Sequence, residues 1–367
     1  MKFPFLRPVL PEPEKWVELL SLSYEKRYFS NFGPLATKLE ISLADAYLAP
    51  NYSAIGVTSN TLGQMAVLQA LDVRGKYVVL PDFTFAGTLQ AVLGAGGKPV
   101  ICDVTPETGE LCPNSLKTAL SKYDDVAVVI YVRCFGFVND VSSVKEICKS
   151  AGVQLMIDAA ASLADPKDQK FGSEDGEIEV FSLHATKVFA IGEGGMIAAP
   201  NEIKDKIRRA VNFGINPDRT YGDGTNAKID EFRSAIGLSM LDLIPTLVDF
   251  RQQHAERYIE LLDEIDGVEI LDMPRKASWS CFPILLSVNS REKSSAVFSD
   301  HGIEVKKYYW PGLLSAYQGS SHLETVGTPI SNDIQDKVLC LPVYSEPLSD
   351  FWPNLEVSTR SALELLV

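Results

Sequence analysis

Lys187 is the residue whose setting in this sequence most clearly serves chemistry. It closes the run Phe181-Ser182-Leu183-His184-Ala185-Thr186-Lys187, and Gly192, Gly194 and Gly195 follow closely. A lysine in a tight, glycine-flanked turn between two apolar runs is not placed as a solvated surface charge. Burial lowers an amine's pKa, and a neutral amine can form a Schiff base with a carbonyl compound. Three other polar features share this kind of position, at the end of an apolar run. Asp158 ends Gln154-Leu155-Met156-Ile157-Asp158. A carboxylate there is costly unless it faces a cation or hydrogen-bond donors, or caps the next helix. Ser59-Asn60-Thr61 opens a helical stretch, where hydroxyls and free backbone N–H groups could cradle a phosphate or simply cap the helix. Phe83-Thr84-Phe85 could offer a flat apolar face or plain core packing.

In chain order these features are a phosphate cradle, an aromatic face, a carboxylate and an amine. Those are the four parts of a pyridoxal phosphate site. The sequence resembles, over nearly its whole length, the DegT/StrS family of pyridoxal phosphate-dependent sugar aminotransferases, of the aspartate-aminotransferase (type I) fold. The family pattern S-F-H-A-T-K, then G-E-G-G, stands here as Ser182-Leu183-His184-Ala185-Thr186-Lys187, then Gly192-Glu193-Gly194-Gly195. The segment T-F-x-A/G-T is Thr84-Phe85-Ala86-Gly87-Thr88, and G-x-N-x-K/R is Gly224-Thr225-Asn226-Ala227-Lys228. Ser30 to Leu35 and Leu341 to Tyr344 match as well.

The resemblance implies roles. Lys187 would hold the cofactor as a Schiff base, and Asp158 would pair with its pyridine nitrogen. Phe85 would stack on the ring. Asn60, Thr61 and Ser182 would hold the phosphate, with Asn226 reaching it from a neighbouring subunit of a homodimer with shared active sites. The reaction implied is transfer of an amino group, from L-glutamate, onto a nucleotide-linked keto-deoxy-sugar. The expected substrate is dTDP-linked, 4-keto or 3-keto, and would serve cell-surface polysaccharide or glycoside synthesis. Lys306, Tyr308 and Tyr309, in the segment 306–322, are candidate substrate contacts, as is the loop 215–225. Two alternatives stay open: a sugar dehydratase, against which Lys187 argues because that branch carries histidine there, and a catalytically inert binding protein on the same fold.

Three positions depart from the family pattern. Ser59-Asn60-Thr61 stands for S-G-T, Asp158-Ala159-Ala160-Ala161 for D-A-A-Q, and Ser280 for a histidine in the small domain.

The elements that must position these residues are legible as apolar runs. AIGVT (54–58), YVVL (77–80), PVIC (99–102), VAVVIYV (126–132) and QLMID (154–158) lack alternation, as strands covered on both faces do. Helical stretches lie between them, which predicts a parallel sheet. EVFSLHA and GMIAAP read as two further strands joined by a short turn. Beyond residue 200 a helix at 202–213 and a polar loop precede a long helical pattern broken at Pro245. FPILLSV, GIEVKKYYW and LCLPV then read as short strands. The expectation is an α/β chain, with a large cofactor-binding domain over 1–245 and a smaller α+β domain over 246–367.

Composition narrows the remaining classes. With 48 acidic against 34 basic side chains the net charge is −14. That disfavours nucleic acid, which needs a basic surface. The six cysteines form no C-x-x-C pair and sit mostly in apolar runs, so buried, reduced thiols in a cytoplasmic protein are expected. The four histidines lack ligand spacing, so no metal site is expected. No apolar run reaches the ~20 residues of a membrane helix, and the proline-containing N-terminus does not read as an export signal.

Overall fold

The computed structural model describes residues 2–164, 170–272, 274, 277–317 and 323–367. Ten strands carry the architecture: β1 (Tyr52–Val57), β2 (Tyr77–Pro81), β3 (Lys98–Cys102), β4 (Val126–Val132), β5 (Gln154–Asp158), β6 (Ile178–Ser182), β7 (Gly195–Pro200), β8 (Phe282–Leu285), β9 (Glu324–Thr325) and β10 (Val338–Leu341). Eight of them form one sheet in the order β1-β7-β6-β5-β4-β2-β3-β9. From β6 to β9 every pairing is parallel, while β7 runs antiparallel to both β1 and β6. β8 and β10 form a separate antiparallel pair.

The strands are apolar throughout because each face of the sheet is buried. On β4, Val128, Ile130 and Val132 join one core, and Val129 and Tyr131 the other. Alternate side chains of a strand point to opposite faces, so both sets must be apolar. The helices Asn60–Ala70, Ala86–Gly94, Pro113–Lys122 and Ser142–Ala151 lie between the first five strands in the chain.

Two expectations needed correction, and one strand was not foreseen. The run 302–310 is not a strand. It makes single bridges, Phe3 to Ile303 and Lys306 to Cys340, after which Tyr308 and Tyr309 turn into an aromatic cluster with Phe5, Phe83 and Phe135. Burying those rings outweighs continuing a ladder. The helical break lies three residues before its expected position: helices span Glu231–Met240 and Ile244–Leu262, and Pro245 sits in the first turn of the second. Proline is tolerated there because its missing N–H has no intrahelical partner to lose. Finally, β9 carried no visible signal. Two residues are too few for a pattern, yet Thr325 Oγ1 and Val326 N both donate to Ile101 O and attach this late segment to the large sheet.

All six cysteines are free thiols, and five are buried. No helix among the described residues is long and apolar enough to cross a membrane.

Candidate active site

The C-terminal ends of β1, β4, β5 and β6 open into a cleft of ≈ 420 Å³. Ligands of open parallel sheets bind at this edge. Asn60, Thr61, Phe85, Asp158, Ser182, Lys187, Tyr308 and Tyr309 all line it. Six of these come from the sheet and its loops, and the two tyrosines come from the segment beyond β8.

Asp158 ends β5 and is 4% exposed. Its Oδ2 accepts from Thr88 Oγ1 at 2.7 Å, and its Oδ1 from Ala160 N at 3.2 Å and Asn60 Nδ2 at 3.4 Å. Thr88 Oγ1 in turn lies 3.0 Å from Thr84 Oγ1. Since Thr88 gives its one proton to Asp158, Thr84 is the donor to Thr88. Burial pushes the Asp158 carboxyl above the usual carboxylate range, against the pull of Thr88, Gln64, Ala160 and Asn60. No salt-bridge partner meets this carboxylate among the described residues. A carboxylate surrounded by donors but lacking a cation fits a cationic ring nitrogen.

Lys187 sits in the loop joining β6 to β7. Leu183 N donates to Gly194 O and Ala185 N to Gly192 O, so the loop folds back on itself. Gly192 has φ +90°, a region that favours glycine. Lys187 Nζ has no hydrogen bond or ion pair among the described residues. Burial holds its pKa below the ordinary lysine value, while the neighbouring Cys281 and Asp158 oppose that shift and Arg251 adds to it. Burial that disfavours the ammonium favours the neutral amine, the form that acts as nucleophile and base.

The phosphate end of the cleft is a helix N-terminus. Ser59 caps the helix Asn60–Ala70 by accepting from Leu62 N at 3.3 Å. The backbone N–H groups of Asn60 and Thr61 have no acceptor among the described residues and remain available to an anion. Gly195 keeps the backbones close here: a Cβ on it would stand 2.9 Å from Asn60 N. Ser182 Oγ accepts from His184 N at 3.2 Å and faces the same space. Phe85 is 63% exposed, so its ring is not core packing. Tyr309 stacks on Phe135, 5.6 Å between centroids and 12° between planes, and meets Phe83 edge-on.

Two sequence candidates stand apart. Lys306 does not line the cleft; its Nζ is bound to Glu304 Oε1 at 2.6 Å. Residues two apart in an extended segment share a face, which places that acid beside it. Asn226 is exposed, and its Oδ1 accepts from Lys228 Nζ at 2.7 Å; it does not line its own chain's cleft. Residues 318–322 of the candidate substrate segment lie outside the described residues. The Asn60 side chain turns inward, donating to Val180 O at 2.9 Å, and leaves its backbone N–H toward the anion site. Thr88 and Gln64 were not singled out. Thr88 lay in view inside a quoted motif, and a polar Gln64 on the buried face of an apolar helix was the available sign.

The sheet order, the lysine turn and the isolated carboxylate define a type I pyridoxal phosphate-dependent transferase. The sequence pattern of the DegT/DnrJ/EryC1/StrS aminotransferase family matches residues 14–350, and the chain belongs to that family. Its cofactor is pyridoxal phosphate. The chain is 29% identical over 352 residues to dTDP-4-amino-4,6-dideoxy-D-glucose transaminase of Shigella dysenteriae, covering 94% of each. It is 26% identical over 291 residues to 3-oxo-glucose-6-phosphate:glutamate aminotransferase of Bacillus subtilis, covering 76% of this chain and 64% of that one. The structure of DesI in the presence of its TDP-sugar product superposes with a TM-score of 0.86 at 27% identity, over 98% of this chain and 93% of that one.

Proposed function

We propose that this enzyme transfers the amino group of L-glutamate to a nucleotide-linked keto-deoxy-sugar, dTDP-linked and reacting at C4 or C3. The observation that carries the reading is the pairing, in one cleft, of a buried carboxylate without a cation and a lysine amine without a partner. The sugar and the donor are supported by the names of the relatives above. In this reading Lys187 is the residue that holds the cofactor covalently, and Asp158 pairs with its ring nitrogen. The N–H groups of Asn60 and Thr61, with Ser182 Oγ, hold the phosphate, and Phe85 covers the ring. The bound cofactor supplies an electron sink and carries the amino group between the two half-reactions. Lys187 Nζ would take the proton from the donor α-carbon as general base and, in the second half-reaction, deliver one to the sugar carbon that receives the amino group as general acid. Tyr308 and Tyr309 wall the side from which the sugar enters.

The same proposal includes a homodimer with shared sites. Its support is an exposed aromatic group at the surface, in which Phe29 stacks on Phe232 and meets Tyr24 edge-on, together with the outward-facing Asn226. Such apolar patches on soluble proteins mark interaction surfaces.

The deciding experiment is a panel of nucleotide-linked 3-keto and 4-keto sugars incubated with enzyme and L-glutamate, read by mass. One amino-sugar product with stoichiometric 2-oxoglutarate is expected. Conversion of glutamate with no sugar aminated across the panel would overturn the substrate class.

A further inference from the structure

The helix Asn60–Ala70 buries apolar residues together with two glutamines, Gln64 and Gln69. Gln64 is fully buried among Gly63, Ala66, Val67 and Leu68. A neutral polar side chain in such a setting is costly unless its hydrogen bonds are made. Gln64 Nε2 donates to Asn60 Oδ1 at 2.6 Å, one helical turn away. With its oxygen so occupied, the Asn60 amide must present Nδ2 to the sheet, where it reaches Val180 O at 2.9 Å and Asp158 Oδ1 at 3.4 Å. Gln64 Oε1 itself has no partner. The Asn60 amide is thus shared between Val180 O and, at longer range, Asp158, and Gln64 is itself among the groups that pull the Asp158 pKa down.

We infer that Gln64 and Asn60 form an amide relay that keeps Asp158 ionised, so that the proton shared with the cofactor's ring nitrogen stays on nitrogen. Both are positioning residues acting through Asp158. The inference rests on the reading of Asp158 and Lys187 as cofactor residues. A proton between two bases resides on the more basic one, and each donor to a carboxylate makes it less basic. Thr88 and Ala160 supply donors from the other sides, and burial works against all of them. The remaining titratable groups facing Asp158 do not confuse the assignment. Cys134, after β4, and Tyr309, from the segment beyond β8, both have pKa values raised well above their ordinary values by burial and stay neutral. Lys187, after β6, is consumed when the cofactor is attached.

The test is the affinity of the protein for pyridoxal phosphate as a function of pH, with the cofactor ring nitrogen labelled with nitrogen-15 for a second readout. A protonated Asp158 cannot pair with the ring cation, so affinity falls at acid pH along a limb set by Asp158. In Gln64→Met, which keeps the volume and removes the donor, that limb moves up by about one pH unit, a tenfold change in the proton's equilibrium. The nitrogen-15 shift moves from the pyridinium toward the pyridine range. Asn60→Ala behaves alike, and serves if Gln64→Met does not fold. Limbs and shifts unchanged in a folded variant overturn the relay. Failure of the underlying reading looks different: the wild-type protein would then carry no borohydride-fixed cofactor on Lys187.

Discussion

Asp82 Oδ1 accepts a hydrogen bond from Leu314 N at 2.8 Å, across 232 residues of chain. Its Oδ2 accepts from Ser331 Oγ at 2.8 Å and Gln335 Nε2 at 2.6 Å. On the neighbouring strand end, Asp103 accepts from Ile330 N and Ser331 N, in the first turn of the helix Pro329–Lys337. A carboxylate at a helix N-terminus is favoured by the exposed N–H groups and the helix dipole. These two acids clamp the segment after residue 311 to the tips of β2 and β3. Tyr308 and Tyr309 enter the cleft immediately before that segment, so the clamp sets where they stand.

Asp82→Ala would leave Leu314 N, Ser331 Oγ and Gln335 Nε2 without their buried acceptor. The expected cost is ~3 kcal/mol, since several donors lose partners at once. Urea unfolding measures it. A rise in KM for the sugar larger than that for glutamate should accompany it; equal changes in both would show that the clamp does not position the tyrosines.

Lys187→Ala should abolish turnover. In the wild-type apoprotein, covalent uptake of pyridoxal phosphate should follow the neutral-amine fraction. Because burial depresses the Lys187 pKa, that fraction should rise with pH through a midpoint below 10.5, the ordinary lysine value. Borohydride reduction and peptide mapping identify the labelled residue, and a label on another lysine would remove Lys187 from its role.

Asp158→Asn keeps the shape of the side chain and removes its charge. Both half-reactions should slow by at least ~100-fold, the scale seen when a preorganised electrostatic partner is lost. Single-turnover absorbance measurements separate the two halves. A near wild-type rate in either would contradict the ion pair.

His254 gives a stability prediction remote from the chemistry. It is fully buried, its Nδ1 accepts from Tyr344 N at 3.1 Å, and it stacks on Tyr258. Burial, and then the charges of Arg251 and Arg7, hold its pKa well below 6.5. The folded state therefore binds fewer protons than the unfolded one at acid pH. Its contribution is intact above 6.5 and is lost as pH falls below it, by up to about 1.4 kcal/mol per pH unit. Denaturant titrations from pH 7.5 to 5 read the slope, and His254→Gln, which keeps an acceptor for Tyr344 N, should flatten it.

The shared-site proposal predicts complementation. Lys187→Ala protein mixed with a variant inactivated at Asn226, under conditions of subunit exchange, should regain part of the activity. One site of each hybrid dimer would then carry both lesions and the other none. No recovery after demonstrated exchange would confine Asn226 to its own chain.

The amino-acid sequence alone determined seven of the eight strands of the large sheet, because each of these is a run of apolar residues that only burial on both faces explains; β9, two residues long, is the exception. It also determined the turn that carries Lys187 and the order of the cleft residues, since both are local patterns. Tertiary structure alone decided which way the side chains face. The Asn60 side chain faces Val180 and Asp158 while its backbone N–H stays at the anion site, because Gln64 and Val180 bind its amide. Lys306 was diverted by Glu304, and the run 302–310 gave up its ladder to bury Tyr308 and Tyr309 against Phe5, Phe83 and Phe135. In each case the competing partners come from separate elements, or their availability depends on backbone conformation. A hydrogen bond or ring contact of that kind has no energy until the fold brings its two halves together.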